Sequence, residues 1–223
     1  QHGPMSEIDP MDQGQEAQPW PIDRVGVVGM GLIGGSIALD LSQQGVEVQG
    51  LVHREVTAER ARSRGLAPLV STDPSCLQNC DLVILALPLE SLLSPQESLI
   101  KAIPERAVVT DVGSVKAEVL AVWRDLHPRF VGSHPMAGTA QAGVDAGLTG
   151  LFCGRPWVST PESSTDASAL AVIQQLAARL GSHWLTADAA RHDQAVALIS
   201  HLPVIVSAAL LRAVGEERDP AVL

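Results

Sequence analysis

An α/β fold built on a doubly wound, mostly parallel sheet is the prediction for this 223-residue chain. Three observations carry it. Apolar runs without polar alternation, such as Leu82-Val83-Ile84-Leu85-Ala86-Leu87, read as strands buried on both faces, which a helix-covered parallel sheet requires. These runs alternate with helical patterns up to about residue 187. The first strand, helix and second strand together occupy about 30 residues, the length of a right-handed crossover between parallel neighbours.

In chain order, residues 24–29 form the first strand, and 32–44 form a helix with Ile33, Ile37 and Leu41 on one stripe and Gly45 beyond its end. Residues 46–52 are the next strand, and 57–64 a helix with Thr57 as N-cap. The strand at 82–87 is stopped by Pro88. Ser94-Pro95-Gln96-Glu97 has the residue types of a capping box and starts a helix reaching about Ile103. Residues 107–112 form another central strand, 116–126 a helix and 129–133 a strand. Strands at 156–159 and 183–186 bracket a helix at 167–180.

From Asp188 the pattern becomes one helix to about Gly215, kinked near Leu202 because Pro203 has no amide to donate. It is apolar almost all round and needs cover on several sides, from further helices or a partner subunit. Residues 22–187 are thus expected to form one domain, and 188–223 the start of a second, all-helical and incomplete one. Residues 1–21 read as a disordered leader or tag remnant, with Gly3-Pro4-Met5 resembling a cleavage scar.

The net charge of −10 argues against nucleic acid as a partner, since no basic block is present to grip a phosphate backbone. The longest apolar stretches, about 7–12 residues, fall short of the roughly 20 needed to cross a bilayer, so no membrane association is expected. Cys76, Cys80 and Cys153 form neither an even framework nor a Cys-x-x-Cys pair, which favours reduced thiols, a cytoplasmic setting and no metal site.

Gly29-Met30-Gly31-Leu32-Ile33-Gly34 matches G-x-G-x-x-G between a strand and a helix, the fingerprint of a Rossmann-type dinucleotide site. Gly29 makes the turn, Gly31 lets a pyrophosphate approach the helix N-terminus and Gly34 permits helix-on-strand packing; with Leu32, Ile33 and Leu87 they are the expected cofactor-binding residues of the cradle. An NAD site usually places a carboxylate about 20 residues further on, but here the second strand ends Val52-His53-Arg54. Arg54 can pair with a 2′-phosphate, with His53 and Thr57 as further donors, so NADP is the expected cofactor. The alternative is a solvated Arg beside Glu55.

Two more strand ends carry chemistry. Ser114, in Asp111-Val112-Gly113-Ser114-Val115-Lys116, sits at the carboxyl edge of the sheet, either as a site residue or as a plain N-cap. His134 leaves a strand into a Pro-Met-Ala-Gly turn, either for catalysis or as a structural histidine. On the long helix, Asp193 and His201 are about 80° apart, whereas His192 and His201 point oppositely if the helix is straight. His201, beside the proline, is taken as the site residue over His192.

Together, Gly29-Met30-Gly31-Leu32-Ile33-Gly34-Gly35-Ser36, Thr110-Asp111-Val112-Gly113-Ser114-Val115-Lys116, Gly132-Ser133-His134-Pro135-Met136-Ala137-Gly138-Thr139, His192-Asp193 and Ser200-His201-Leu202-Pro203 resemble the arogenate/prephenate dehydrogenases of tyrosine biosynthesis. The resemblance implies that His134 accepts the proton of a cyclohexadienol hydroxyl as hydride leaves the same carbon, followed by loss of CO2. It also implies that Ser114 orients His134 and touches substrate, that Thr139 and His201 line the substrate pocket, and that the C-terminal helices form a homodimer. Two departures stand out. The family's Gly-Phe-Arg-Asp segment has no match, and Val204 stands where many prephenate-using relatives have histidine. With Arg54, the latter favours arogenate and NADP over prephenate with NAD or NADP. A β-hydroxyacid dehydrogenase is disfavoured because Lys101 and Lys116 lack the Lys-x-x-x-Asn setting, and a non-catalytic dinucleotide binder is the alternative of another class.

Overall fold

The computed structural model describes residues 20–216, with side chains at all of these except 200–202 and 213–216. The leader expected at 1–21 lies almost wholly outside the described residues.

Six parallel strands form the main sheet: β1 (Arg24–Val28), β2 (Glu47–Leu51), β3 (Leu69–Ser71), β4 (Leu82–Leu85), β5 (Val108–Asp111) and β6 (Phe130–Val131). Their order is β3-β2-β1-β4-β5-β6, so the winding reverses between β1 and β4, where doubly wound sheets open a crevice for ligands. Alternate residues enter opposite cores. Val25, Val27, Leu82 and Ile84 pack with α1 (Leu32–Gln43), α2 (Glu55–Ser63) and α6 (Ala167–Arg179). Val28, Val83, Leu85 and Val109 pack with α3 (Leu89–Leu93), α4 (Glu97–Ala102) and α5 (Ala117–Leu126). The unbroken apolar strands of the sequence are explained by this two-sided burial.

A second sheet joins β7 (Ser133–Pro135), β8 (Pro156–Ser159) and β9 (His183–Thr186), with β7 antiparallel and β9 parallel to β8. The strand expected at 129–133 is therefore two strands in different sheets. Gly132 separates them, with its backbone against the Thr160 hydroxyl, and the chain changes sheets there.

Other boundaries also differ. Helix α2 begins at Glu55 with Arg54 as N-cap, so Thr57 lies inside it and does not cap. Ser94 ends α3, a helix the sequence reading lacks, and α4 is capped by Gln96 without a side-chain bond. Glu97 instead pairs with Lys101 at 2.6 Å on the surface, so no capping box forms.

After α7 (Ala189–Val196), whose N-cap Asp188 accepts from the Arg191 amide, five residues adopt π geometry (197–201) before α8 (Leu202–Glu216). Pro203 removes the bond its amide would give to residue 199, and the ladder widens in the turn before it. The helical run 189–212 is long and apolar enough to cross a bilayer by length and composition, which corrects the expectation that no stretch reaches that size. Its first two turns are nevertheless bound to the α/β domain through His192 and Val196, both buried.

Candidate active site

A cavity of about 840 Å³ opens at the β1/β4 switch point. Gly29, Gly31, His53, Arg54, Thr57 and Leu87 line it, whereas Leu32, Ile33 and Gly34 do not. Gly29 has φ +94°, and a Cβ there would lie 2.2 Å from the Ala86 carbonyl oxygen. A Cβ on Gly34 would lie 2.0 Å from the Gly29 carbonyl oxygen, so Gly34 serves helix-on-strand packing beneath the cavity. Gly31 meets nothing within 4 Å. Its open face, together with an α1 N-terminus that has neither a side-chain cap nor an acidic residue in its first turn, fits the pyrophosphate of a dinucleotide. Leu32 and Ile33 can contribute through their backbone amides.

At the β2 end, Glu55 turns away from Arg54 and binds Arg62 at 2.6 Å. Arg54 is exposed, has no ion pair among the described residues and lines the cavity; its exposure is also what the solvated-arginine alternative describes. Across the cavity, residues 142–145 form a wall the sequence reading missed. Their loop is tied down by Arg60 to Asp145 (2.7 Å), by Arg64 to the carbonyls of Val144 and Gly147 (2.7 and 3.0 Å), and by the Ser36 hydroxyl accepting from the Leu148 amide at 3.0 Å. Arg60 on α2, Arg64 just past its end and the serine after the glycine motif were the available signals.

The second group of residues sits at the carboxyl ends of β5 and β6. His134, half-buried, lies opposite Val158 in the second sheet. Below it, Asp111 and Lys116 form a fully buried ion pair. Asp111 also accepts from the amides of Gly113 (2.9 Å) and Ser133 (3.2 Å), and Lys116 Nζ donates to the Ser133 carbonyl at 2.7 Å. Burial pushes the Lys116 ammonium below the usual lysine range, against the pull of Asp111 and Asp193. The residue before His134 is thereby bolted to the β5 end and the start of α5.

Three side chains then run in series. His134 Nδ1 lies 3.0 Å from His192 Nε2, with the rings edge to face, and His192 Nδ1 lies 2.9 Å from Asp193 Oδ1. Asp193 accepts from the amides of Lys116 (2.8 Å) and Ala117 (2.9 Å), capping α5. Burial raises the Asp193 carboxyl, but the Ala117 amide, His192 and the Lys116 amide outweigh it and hold it below the usual range.

His192, not taken as a site residue from the sequence, is buried and meets His134. The straight-helix argument fails because the π turn at 197–201 alters the rotation between the two positions. The His201 side chain lies outside the described residues. Ser114 is exposed and does not cap α5, the cap being Asp193, and the hydrogen bonds of the described residues do not link it to His134. The Thr139 hydroxyl accepts from the Gln141 amide at 3.2 Å within its own loop. His134, Ser114 and Thr139 are not among the residues that line the cavity. Among the described residues, no cluster of three or more His, Cys, Asp or Glu could hold a metal ion.

Comparison with known proteins matches residues 37–186 to the nucleotide-binding domain of prephenate dehydrogenase and residues 188–222 to its dimerization domain. Cyclohexadienyl dehydrogenase of Zymomonas mobilis is 32% identical over 192 residues, covering 84% of this chain and 66% of that protein. Prephenate dehydrogenase of Bacillus subtilis is 33% identical over 196 residues, 85% of this chain and 53% of its own. The chain thus spans between about half and two thirds of the curated relatives it matches. Among solved structures, Synechocystis arogenate dehydrogenase superposes with a TM-score of 0.79 at 41% identity, over 90% of this chain and 72% of that one. Prephenate dehydrogenase from A. aeolicus, in complex with hydroxyphenyl propionate and NAD+, gives 0.84 at 28% identity over 92% and 73%. With its dinucleotide cradle, its paired histidines and a domain match over most of its length, the chain belongs to the prephenate dehydrogenase family.

Proposed function

We propose that the protein oxidises L-arogenate to L-tyrosine with NADP, releasing the ring carboxylate as CO2. Bound NADP supplies the hydride acceptor. Arg54 and the uncapped α1 N-terminus would hold its phosphates, and residues 142–145 would wall the same cavity. His134 accepts the ring-hydroxyl proton as the carbon beneath it is oxidised, and returns a proton to that oxygen when the lost carboxylate's electron pair makes the ring aromatic. Ser114, Thr139 and His201 complete the substrate side of this reading.

The observation that carries the cofactor choice is Arg54, without an ion pair among the described residues, at a β2 end whose last positions hold no carboxylate. Arogenate is supported by Val204 and by the likeness to Synechocystis arogenate dehydrogenase. Prephenate with NAD is the second reading, favoured by relatives named prephenate dehydrogenase and by the NAD+ in the A. aeolicus complex. The deciding experiment measures reduction of NADP and NAD with arogenate and with prephenate side by side. Highest kcat/KM for arogenate with NADP is expected; preference for prephenate or NAD overturns the corresponding half.

The protein is further proposed to act in the cytoplasm as a homodimer through its C-terminal helices. Exposed Leu198, Ile199, Val204, Ile205, Leu210 and Leu211 provide the surface, and the dimerization-domain match agrees with it. Burial pushes the thiols of Cys76 and Cys80 up to about 11 and about 12, consistent with unreactive, reduced cysteines.

A further inference from the structure

The series Asp193, His192, His134 has a direction fixed by hydrogen-bond chemistry. An ionised carboxylate only accepts, so the 2.9 Å contact requires the proton on His192 Nδ1. Neutral His192 then has only a lone pair on Nε2. The 3.0 Å contact to His134 Nδ1 closes correctly in one way, with His134 Nδ1 donating. Neutral His134 is thereby left with its proton on Nδ1 and its basic lone pair on Nε2.

We propose that His192 and Asp193 are positioning residues that lock the tautomer of His134, making Nε2 the atom that takes the substrate proton. This rests on the dehydrogenase reading given above, which it deepens. When the hydroxyl proton moves to His134 Nε2, the imidazolium keeps its Nδ1–H directed at His192 Nε2. Shifting that proton along the bond puts the positive charge on His192, beside the Asp193 carboxylate, with no net change in protons or electrons. The same carboxylate caps α5 immediately after the Ser114 loop, so one residue fixes the histidine and the loop relative to each other. Among the described residues, the other charged groups near the pair include Asp188 and Arg191, on or capping α7, and the Asp111–Lys116 pair beneath β7.

The test combines long-range proton–nitrogen correlation spectra of the histidine rings with steady-state kinetics on the full chain. At about pH 8, where a reference imidazole is neutral, wild-type His134 is expected as the Nδ1–H tautomer. His192→Phe keeps a ring against His134 but removes the acceptor. It should convert His134 largely to the Nε2–H form, lower kcat roughly 10- to 100-fold with little change in KM, and move the acidic limb of the pH profile to lower pH. His192→Gln, whose carbonyl can accept from His134 and whose amide can donate to Asp193, should restore the tautomer and most of kcat. Where His192→Phe does not fold, Asp193→Asn takes its place, with a mixture of His134 tautomers expected. An Nε2–H tautomer in the wild type, or a His192→Phe protein with unchanged tautomer and kcat, overturns the proposal. A wild type with no turnover on arogenate or prephenate overturns the dehydrogenase reading instead, and the spectra still report on the lock.

Discussion

Replacing Lys116 with methionine isolates the energetic weight of the buried pair beneath the site. Methionine nearly fills the volume of the lysine stem, so the change removes charge and hydrogen bonds while leaving packing largely intact. Asp111 would keep the Gly113 and Ser133 amides as donors but lose its counter-charge in a fully buried position. Breaking a buried pair by removing one partner costs about 3–5 kcal/mol. Against a total stability of roughly 5–15 kcal/mol, that is a large fraction. For a domain of this size it corresponds to a Tm lower by about 6–20 °C. Urea and thermal melts of the full chain would measure it. Adding Asp111→Asn to Lys116→Met removes the stranded charge yet keeps an oxygen for one of the amides, so the double variant should recover about 1–2 kcal/mol of the loss. A Lys116→Met protein within about 1 kcal/mol of wild type, or a double variant no more stable than the single, would refute the reasoning.

Other perturbations follow from the same geometry. Arg54→Ala should weaken NADP binding by about 10- to 100-fold, the loss of a charge-assisted contact, and leave NAD binding and stability nearly unchanged; equal loss for both cofactors in titrations would reject the 2′-phosphate assignment. His134→Asn should cut turnover by about 10²–10⁴-fold while NADP affinity stays constant; near-normal turnover would place the base elsewhere. Asp193→Ala should cost about 0.5–2 kcal/mol, as loss of a helix cap does. Because the folded carboxyl is held below its ordinary range, that contribution is complete above the unfolded carboxylate pKa of about 4 and fades as pH falls through the folded value. Melts from neutral to acid pH should show wild type and variant converging at the acid end.

The sheet was legible because it depends on local signals. Strands buried on both faces must be apolar throughout, and the glycine positions of the cradle are set by contacts with neighbouring backbone, so each leaves a mark at its own place in the chain. What escaped prediction depends on partners distant in sequence. Ser114 has the residue type of an N-cap, yet Asp193, 77 residues past Lys116, supplies the cap to α5. Capping chemistry at Ser94 was likewise misleading, because α3 ends there. The change of sheets at Gly132 is set by where β8 lies, which residues 129–135 do not encode by themselves. A wheel for a straight helix sets His192 and His201 on opposite sides and cannot foresee the π turn between them, although Pro203 marks the place where such a turn arises.

Helix α7 belongs energetically to the α/β domain, and α8 does not. Val196 is buried, whereas Leu210 and Leu211 are 61% and 74% exposed. Each large apolar side chain contributes about 1.5–3 kcal/mol when fully covered, so a stripe that includes Leu198, Ile199, Val204, Ile205, Leu210 and Leu211 provides a strong incentive for association. Charging one position of that stripe tests where it acts. On the homodimer proposed above, Ile205→Asp should shift the protein from dimer to monomer in sedimentation velocity at micromolar concentration. NADP binding, which depends on the β1/β4 cleft, should be unaffected. Turnover should fall, because the helix that carries His192 and Asp193 continues through the π turn into the uncovered segment, and loss of its cover loosens the far end of that support. An Ile205→Asp protein that remains dimeric would place the interface elsewhere; a monomer with full activity would show that α7 is held by its contacts with α5 and β7 alone.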